Sequence, residues 1–350
     1  MKPLPLILTL FLFCAGCVPA TALPTPSPTA SSPTASPPTL TLTPTELPPT
    51  ATATPLPTET PTPEPTPTPT AIPIEAVQVL EITEADGALS LPDGIAISPD
   101  GFLYVLDAGN DRIVKMTLDG QFVLAWGQTG TGPGEFDFLG FAALNVDQAG
   151  NVYVVDNGND RVQKFDANGG FLLTFGGPGK GEGQFTRAID IVVDAEGNIF
   201  VTDDNNPYVQ KFDPEGNFLF RWGGEGDGPG QFEHATGIAL DAEGNLYIAD
   251  YEGNRVQKFT HDGEYLTEWR ANRPDGVAVD ALGRVYVTEY DTGRVKVFTN
   301  EGEVLAAWGK KGNDVGAFKY PAGVVVDANG LVYVTDDQNN RVQVFEVLWP

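Results

Sequence analysis

The sequence predicts an all-β fold, a six-bladed β-propeller, on three observations. A block of about 45 residues recurs six times from Pro92 to the C-terminus. Each full block holds four short apolar stretches of strand length, separated by turn residues. One further strand-like stretch lies ahead of the first block, and the last block is one strand short.

From the N-terminus, Lys2 is a one-charge leader, and Leu4 to Phe13 is an apolar run too short to span a bilayer as a mature helix. Cys14-Ala-Gly-Cys17 follows. Two small residues before a cysteine, directly behind an apolar run, resemble a bacterial lipobox. The resemblance implies cleavage ahead of Cys17 and a lipid on Cys17, with Cys14 standing where such motifs usually have a branched residue. Residues 1–16 then read as a lipoprotein signal peptide. Val18 to Ile74 is built mostly of Pro, Thr, Ser and Ala and has no Phe, Tyr or Trp, so it holds too little apolar surface for a core. Residues 17–74 are therefore expected to be a lipidated cysteine and a disordered stalk, able to extend on the order of 150 Å. The expected location is the bacterial cell surface, on the extracytoplasmic side, with the lipid as the only membrane contact. Cys14 and Cys17 are the only cysteines, so the remainder has no disulfide and no thiolate metal site.

Residues 75–350 hold the repeats. Ala76-Val-Gln-Val-Leu-Glu-Ile-Thr83 is the orphan strand, expected to complete the last blade by pairing near Arg341 to Glu346. Without that closure the ring would expose a strand edge. Within each copy, a first strand ends at Asp147, Asp194, Asp241, Asp280 or Asp327, with Ser98 in the first copy. A turn glycine follows, such as Gly150 or Gly244. A second strand ends in an acid: Asp107, Asp156, Asp203, Asp250, Glu289 or Asp336. A third starts at Arg112, Arg161, Arg255, Arg294 or Arg341, with Tyr208 as the exception. A fourth ends in an aromatic: Trp126, Phe175, Trp222, Trp269 or Trp308. The recurring acid and arginine face each other across a hairpin in nearly every copy, which marks them as blade architecture, since a functional site is normally unique rather than periodic.

The run Gly237-Ile-Ala-Leu-Asp-Ala-Glu-Gly-Asn-Leu-Tyr-Ile-Ala-Asp250, with Arg255-Val-Gln-Lys-Phe259, is similar to the NHL repeat. The resemblance covers essentially all of 75–350 and implies a six-bladed propeller. For function it implies little, because such propellers occur in RNA-binding proteins, receptor sensor domains and an amidating lyase.

Charge and histidine content narrow the choice. Of 20 basic and 47 acidic residues, Lys2, Glu46, Glu59 and Glu64 precede residue 75, leaving a net charge of −25 on 75–350. Nucleic acid, whose phosphates need neutralising, is disfavoured as a partner. His234 and His261 are the only histidines and fall on opposite ends of their blade, so a three-histidine zinc site of the amidating-lyase kind is not expected. No nucleophile motif for Ser-His-Asp hydrolysis is present. Lactonase-type propellers hold a divalent ion through central carboxylates and an amide. Here Asp190, at a position held by glycine in four other copies, and Asn145, at one otherwise held by Ala or Val, are the weak candidates.

One irregularity stands out. Strand-one aspartates are 47 residues apart from Asp147 to Asp194 to Asp241, then 39 apart to Asp280, and 47 again to Asp327. The missing residues come from the loop between blades four and five, which should leave a notch. Tyr251 and Tyr290, each following the strand-two acid, together with Arg270 and Arg273 would flank it as a ligand site for a sugar ring or peptide. On that basis the expected function is a surface-anchored, non-enzymatic and monomeric binding propeller for a protein, peptide or glycan. No catalytic residue and no cofactor are assigned, although a divalent cation fits the alternative, a metal-dependent propeller enzyme of lactonase or lyase type.

Overall fold

A computed structural model describes residues 72–80 and 86–349, so the expected signal peptide, Cys17 and nearly all of the expected stalk lie outside the described residues. Strand β1 is Ile74–Leu80. Blade one is β2 (Pro92–Ile97), β3 (Phe102–Asp107), β4 (Arg112–Thr117) and β5 (Phe122–Trp126). Blade two is β6 (Leu144–Val146), β7 (Val152–Asp156), β8 (Arg161–Phe165) and β9 (Phe171–Gly176). Blade three is β10 (Ala188–Val193), β11 (Ile199–Asp203), β12 (Tyr208–Phe212) and β13 (Phe218–Gly223). Blade four is β14 (Ala235–Leu240), β15 (Leu246–Asp250), β16 (Arg255–Phe259) and β17 (Tyr265–Arg270). Blade five is β18 (Pro274–Val279), β19 (Val285–Glu289), β20 (Arg294–Phe298) and β21 (Val304–Trp308). Blade six is β22 (Pro321–Val326), β23 (Leu331–Asp336) and β24 (Arg341–Val347), completed by β1 in the order β1-β24-β23-β22.

Each blade is a four-stranded antiparallel sheet, and the ring closes as the sequence predicts. Ile74 pairs with Val347 and Leu80 with Val342, with a bulge at Val77. The pairing starts one residue ahead of the expected domain boundary, and residues 81–83 of the expected strand lie outside the described residues. Apolar residues on alternate sides of the middle strands pack blade against blade. Between blades one and two, for example, Tyr104, Leu106, Phe136, Val152, Val154 and Phe165 form one buried cluster.

The repeated polar residues hold this frame. Asp147 accepts the backbone N–H groups of Ala149 and Asn151 at 2.9 and 2.8 Å, which fixes the turn between the first two strands. The acid–arginine pairs form as expected: 2.6 Å for Arg112 and Asp107, 2.7 Å for Arg161 and Asp156, 2.9 Å for Arg255 and Asp250, 2.8 Å for Arg341 and Asp336. The guanidinium also grips the loop entering its blade, as Arg161 donates to the carbonyls of Thr131, Gly132 and Glu135. In blade five that loop is shortened, Arg294 is exposed, and Glu289 pairs with Lys296 at 2.7 Å instead.

Candidate functional site

The first strands of all six blades line a central channel of about 190 Å³. Their spacing is uneven, and glycine decides where. A Cβ on Gly94 would stand 2.5 Å from the Ala143 Cα, and one on Gly237 would stand 2.1 Å from the Asp275 carbonyl oxygen. These glycines let neighbouring inner strands touch. Blade three has Asp190 at the corresponding position. Its carboxylate accepts the N–H groups of Ile191 at 2.7 Å and of Ile238, on blade four, at 2.9 Å. Asn145 does the same between blades two and three, accepting the N–H of Val193 at 3.3 Å. Both candidates therefore line the channel while stapling one inner strand to the next.

The end of the channel where the first strands begin is acidic. Asp93 begins blade one and Asp275 begins blade five, where the other copies have Ala142, Ile189, Thr236 and Ala322. Asp337 follows the second strand of blade six, and with Asp93 it lines a side cavity of about 140 Å³. Asp93, Asp190 and Asp275 line the narrower space beside it, and Phe141 borders both. Burial is the main cause that pushes Asp93 up to about 7, opposed by the Ala142 N–H and reinforced by Asp337 and Asp190. Burial likewise pushes Asp190 to about 7. It pushes Asp337 to about 6, against a hydrogen bond from the Tyr290 hydroxyl. Burial, then the charges of Asp93, Asp190, Asp337 and Asp204, hold Asp275 well above the ordinary carboxylate range. Only 6% of Asp275 is exposed, and no donor among the described residues reaches its carboxylate.

The rim above these acids is aromatic and basic. Blade two enters through two residues more than its neighbours, since Phe136 to Asp147 is longer than Phe185 to Asp194. The extra length bulges at Leu139–Phe141, where Asn157 holds the Leu139 N–H at 2.9 Å and the Gly140 carbonyl at 2.8 Å. Phe141 takes a left-handed φ of 51°. Its ring reaches across the mouth to Tyr290, 5.0 Å between centroids, and to Tyr251, 6.3 Å. Arg187 lies 5.6 Å from the Phe141 ring and pairs with Asp204 at 3.0 Å, and His234 pairs with the same aspartate at 3.0 Å. His261 is on the opposite face in its strand-three-to-four turn, 2.8 Å from Asp194.

The structure divides the four residues expected around the notch. Tyr251, Tyr290 and Arg273 gather at the channel mouth. Both tyrosines are half-buried, and Arg273 lies 5.1 Å from the Tyr251 ring while pairing with Asp291 at 2.9 Å and Glu252 at 3.0 Å. The shortened loop does open a cleft of about 670 Å³, but it is lined by Arg270 with Trp269, Glu268 and Lys296, and neither tyrosine borders it. Asp93, Asp275, Asp337 and Phe141 escaped the sequence reading. The signal was present: Pro92-Asp93-Gly94 and Pro274-Asp275-Gly276 differ from Pro321-Ala322-Gly323 by one carboxylate.

A hard divalent ion suits carboxylate oxygens. The placement does not suit it: no three acids or histidines among the described residues gather closely enough to hold a metal. Asp190 spends both oxygens, and Asp93 one, on backbone N–H groups. The chemistry these residues offer as they stand is proton transfer.

A family model described as a 6-bladed beta-propeller matches residues 182–275, and the NHL repeat matches residues 272–298 and 318–345. No curated protein sequence matches the chain. Among solved structures, a streptogramin B lyase is 16% identical with a TM-score of 0.56, covering 78% of this chain and 98% of its own. A gluconolactonase from Xanthomonas campestris is 18% identical with a TM-score of 0.57, covering 81% and 99%. A catalytically inactive histidine-to-alanine virginiamycin B lyase from Staphylococcus aureus, solved with quinupristin, is 16% identical with a TM-score of 0.55, covering 79% and 100%. These neighbours correct the expectation of a non-enzymatic module for a protein, peptide or glycan. They are enzymes, of the class that stood as the alternative. At such identities the likeness itself establishes the fold. Repeat and architecture agree: the chain folds as a six-bladed β-propeller, and its last two blades match the NHL repeat.

Proposed function

We propose that this propeller is an enzyme of lactonase or lyase type that breaks a carbon–oxygen bond at the acidic mouth of its channel. One observation carries the reading. Four carboxyls from blades one, three, five and six share that end, and burial holds all four above the ordinary value of 3.8. General acid–base catalysis needs groups that exchange protons near the working pH. Two carboxyls pushed to different proton affinities take different roles.

Burial and the neighbouring aspartates hold Asp275 well above its ordinary value, which favours its protonated form, and it is the general acid. Asp337, at about 6, is mostly ionised there and is the general base. As the C–O bond of a ring ester breaks, the Asp275 proton passes to the leaving oxygen. In hydrolysis Asp337 takes a proton from the water that attacks the carbonyl carbon, giving a hydroxy acid. In elimination it takes the proton from the carbon beside the breaking bond, giving an alkene and a carboxylic acid. Beyond burial, Asp93 and Asp190, fixed by backbone N–H groups, supply the negative field that favours the protonated form of Asp275.

The test is turnover of a panel of lactones and cyclic esters, with acid release read by indicator and new double bonds by ultraviolet absorbance. Asp275→Asn and Asp337→Asn are each expected to cut the rate by about 10²–10⁴ while the protein stays folded. Treatment with a chelator is expected to leave the rate unchanged. Full activity in both variants would remove the proposed roles, and chelator-sensitive activity would return a metal to the site.

A further inference from the structure

Four aromatic rings touch around the mouth. Tyr290 is the hub, 5.0 Å from Phe141, 6.4 Å from Tyr251 and 4.8 Å from Tyr320. Each of the three outer rings carries a cation of the chain: Arg187 at 5.6 Å from Phe141, Arg273 at 5.1 Å from Tyr251, Lys311 at 4.5 Å from Tyr320. Tyr290 has no such cation among the described residues. It lines the 140 Å³ side cavity together with Phe138, Phe141, Asp93 and Asp337, and no lysine or arginine lines that cavity.

We infer that this cavity binds an organic ammonium group, the positively charged end of the substrate. The inference rests on reading the mouth as the active site. Two carboxyls and three aromatic rings surround one small space. A cation over an aromatic face is attracted by the ring quadrupole, and more strongly once water is excluded. The carboxyls of Asp93 and Asp337 supply the counter-charge, and no basic side chain in the lining neutralises it.

A metal ion answers this demand poorly. It needs a shell of oxygens, whereas much of the wall is aromatic carbon and no three acids gather. An alkylammonium presents charge spread over a hydrocarbon surface, which matches both kinds of wall. The space equals that of about five liquid waters, enough for one small head group, so the ester part of the substrate would extend toward Asp275. The net charge of −25 on 75–350 draws cations to the protein from solution.

The experiment is calorimetric titration of the full-length protein with choline and with 3,3-dimethylbutan-1-ol, its uncharged carbon isostere, at pH 8 and pH 5. Choline is expected to bind one per chain at pH 8 and the alcohol at least 10-fold more weakly. The choline affinity is expected to fall at least 10-fold at pH 5. The titrating and charged groups that bear on the cavity are Asp93, Asp337 and Tyr290 in its wall, Asp190 and Asp275 from the channel, and Asp336 and Lys319 beside Asp337. Protonation of Asp93 and Asp337 is the source of the loss. Asp337→Asn and Tyr290→Leu are each expected to lower affinity about 10-fold, and Tyr290→Phe, which keeps the ring, to retain it. Thermal melts of each variant establish that it is folded.

Equal binding of the alcohol, no binding of choline, or choline binding indifferent to both Asp337→Asn and Tyr290→Leu would overturn the inference. Its failure separates from failure of the enzyme reading. Ester turnover lost in Asp275→Asn without choline binding removes the ammonium site alone. Choline binding without turnover removes the enzyme reading alone.

Discussion

Asp275 shows how a single residue can set a pH profile. Its ordinary value is 3.8, and in the folded chain burial and four neighbouring aspartates raise it well above that. The folded state therefore holds a proton that the unfolded state has released. Stability from this group is full below about 4 and is lost as pH rises toward its folded value. Asp93 and Asp190, each at about 7, act in the same direction between about 4 and 7. Asp275→Asn removes the charge that would otherwise be forced into the cluster. Its melting temperature at pH 8 is expected to exceed that of the unaltered protein by several degrees, on a scale of about 2–4 °C per kcal/mol. The gain should shrink toward pH 4, where both proteins are neutral at this position. A thermal melt at pH 4, 6 and 8 decides it, and an Asp275→Asn melting temperature below the unaltered one at pH 8 would show that the carboxylate has a counter-ion.

At the scale of elements, β1 carries more than its length suggests. It gives blade six its fourth strand, buries Leu80 against Leu103 and Met116 of blade one, and so ties the start of the propeller to its last blade. Removing residues 72–80 would expose the edge of β24 and the Leu80 pocket. Loss of one buried leucine is worth about 1.5–3 kcal/mol, and each of several backbone hydrogen bonds about 0.5–1.5. A chain starting at Asp86 is expected to melt about 10 °C or more below one starting at Ile72, and equal melting by circular dichroism would show that the ring is held without closure. This strand was legible in the sequence, as were the blades. The reason is physical: strands alternate with period two, their turns need glycine at positive φ, as at Gly150 (85°) and Gly197 (86°), and six copies repeat both signals. The mouth was less legible. Pro92-Asp93-Gly94 reads as turn chemistry, and only the ring brings it beside Asp275 and Asp337 from distant blades. Asp190 was singled out, yet its backbone partner Ile238 belongs to another blade and cannot be read from local pattern. The shortened loop was rightly placed, but Tyr251 and Tyr290 follow strand two and turn toward the channel, while Arg270 ends β17 and turns toward the cleft.

At the scale of the whole molecule, charge and address act together. An acidic protein is repelled by anionic lipid, so tethering at a membrane needs something other than the surface of the propeller. The sequence offers one device, a cysteine behind two small residues and an apolar run, at Cys17. Acyl chains bind membranes through buried methylenes, about 0.8 kcal/mol each, and stable anchoring takes more than one chain. We propose that Cys17 carries such an anchor. Cys17→Ser removes the attachment atom while leaving every propeller residue in place. It is expected to move the protein from the membrane fraction to the soluble fraction without changing its melting temperature. Cys14→Ser leaves the attachment atom intact and is expected to leave the protein with the membrane. Membrane retention of Cys17→Ser at the unaltered level would show that another segment anchors the chain. Release of both variants alike would place Cys14 in the processing step rather than outside it.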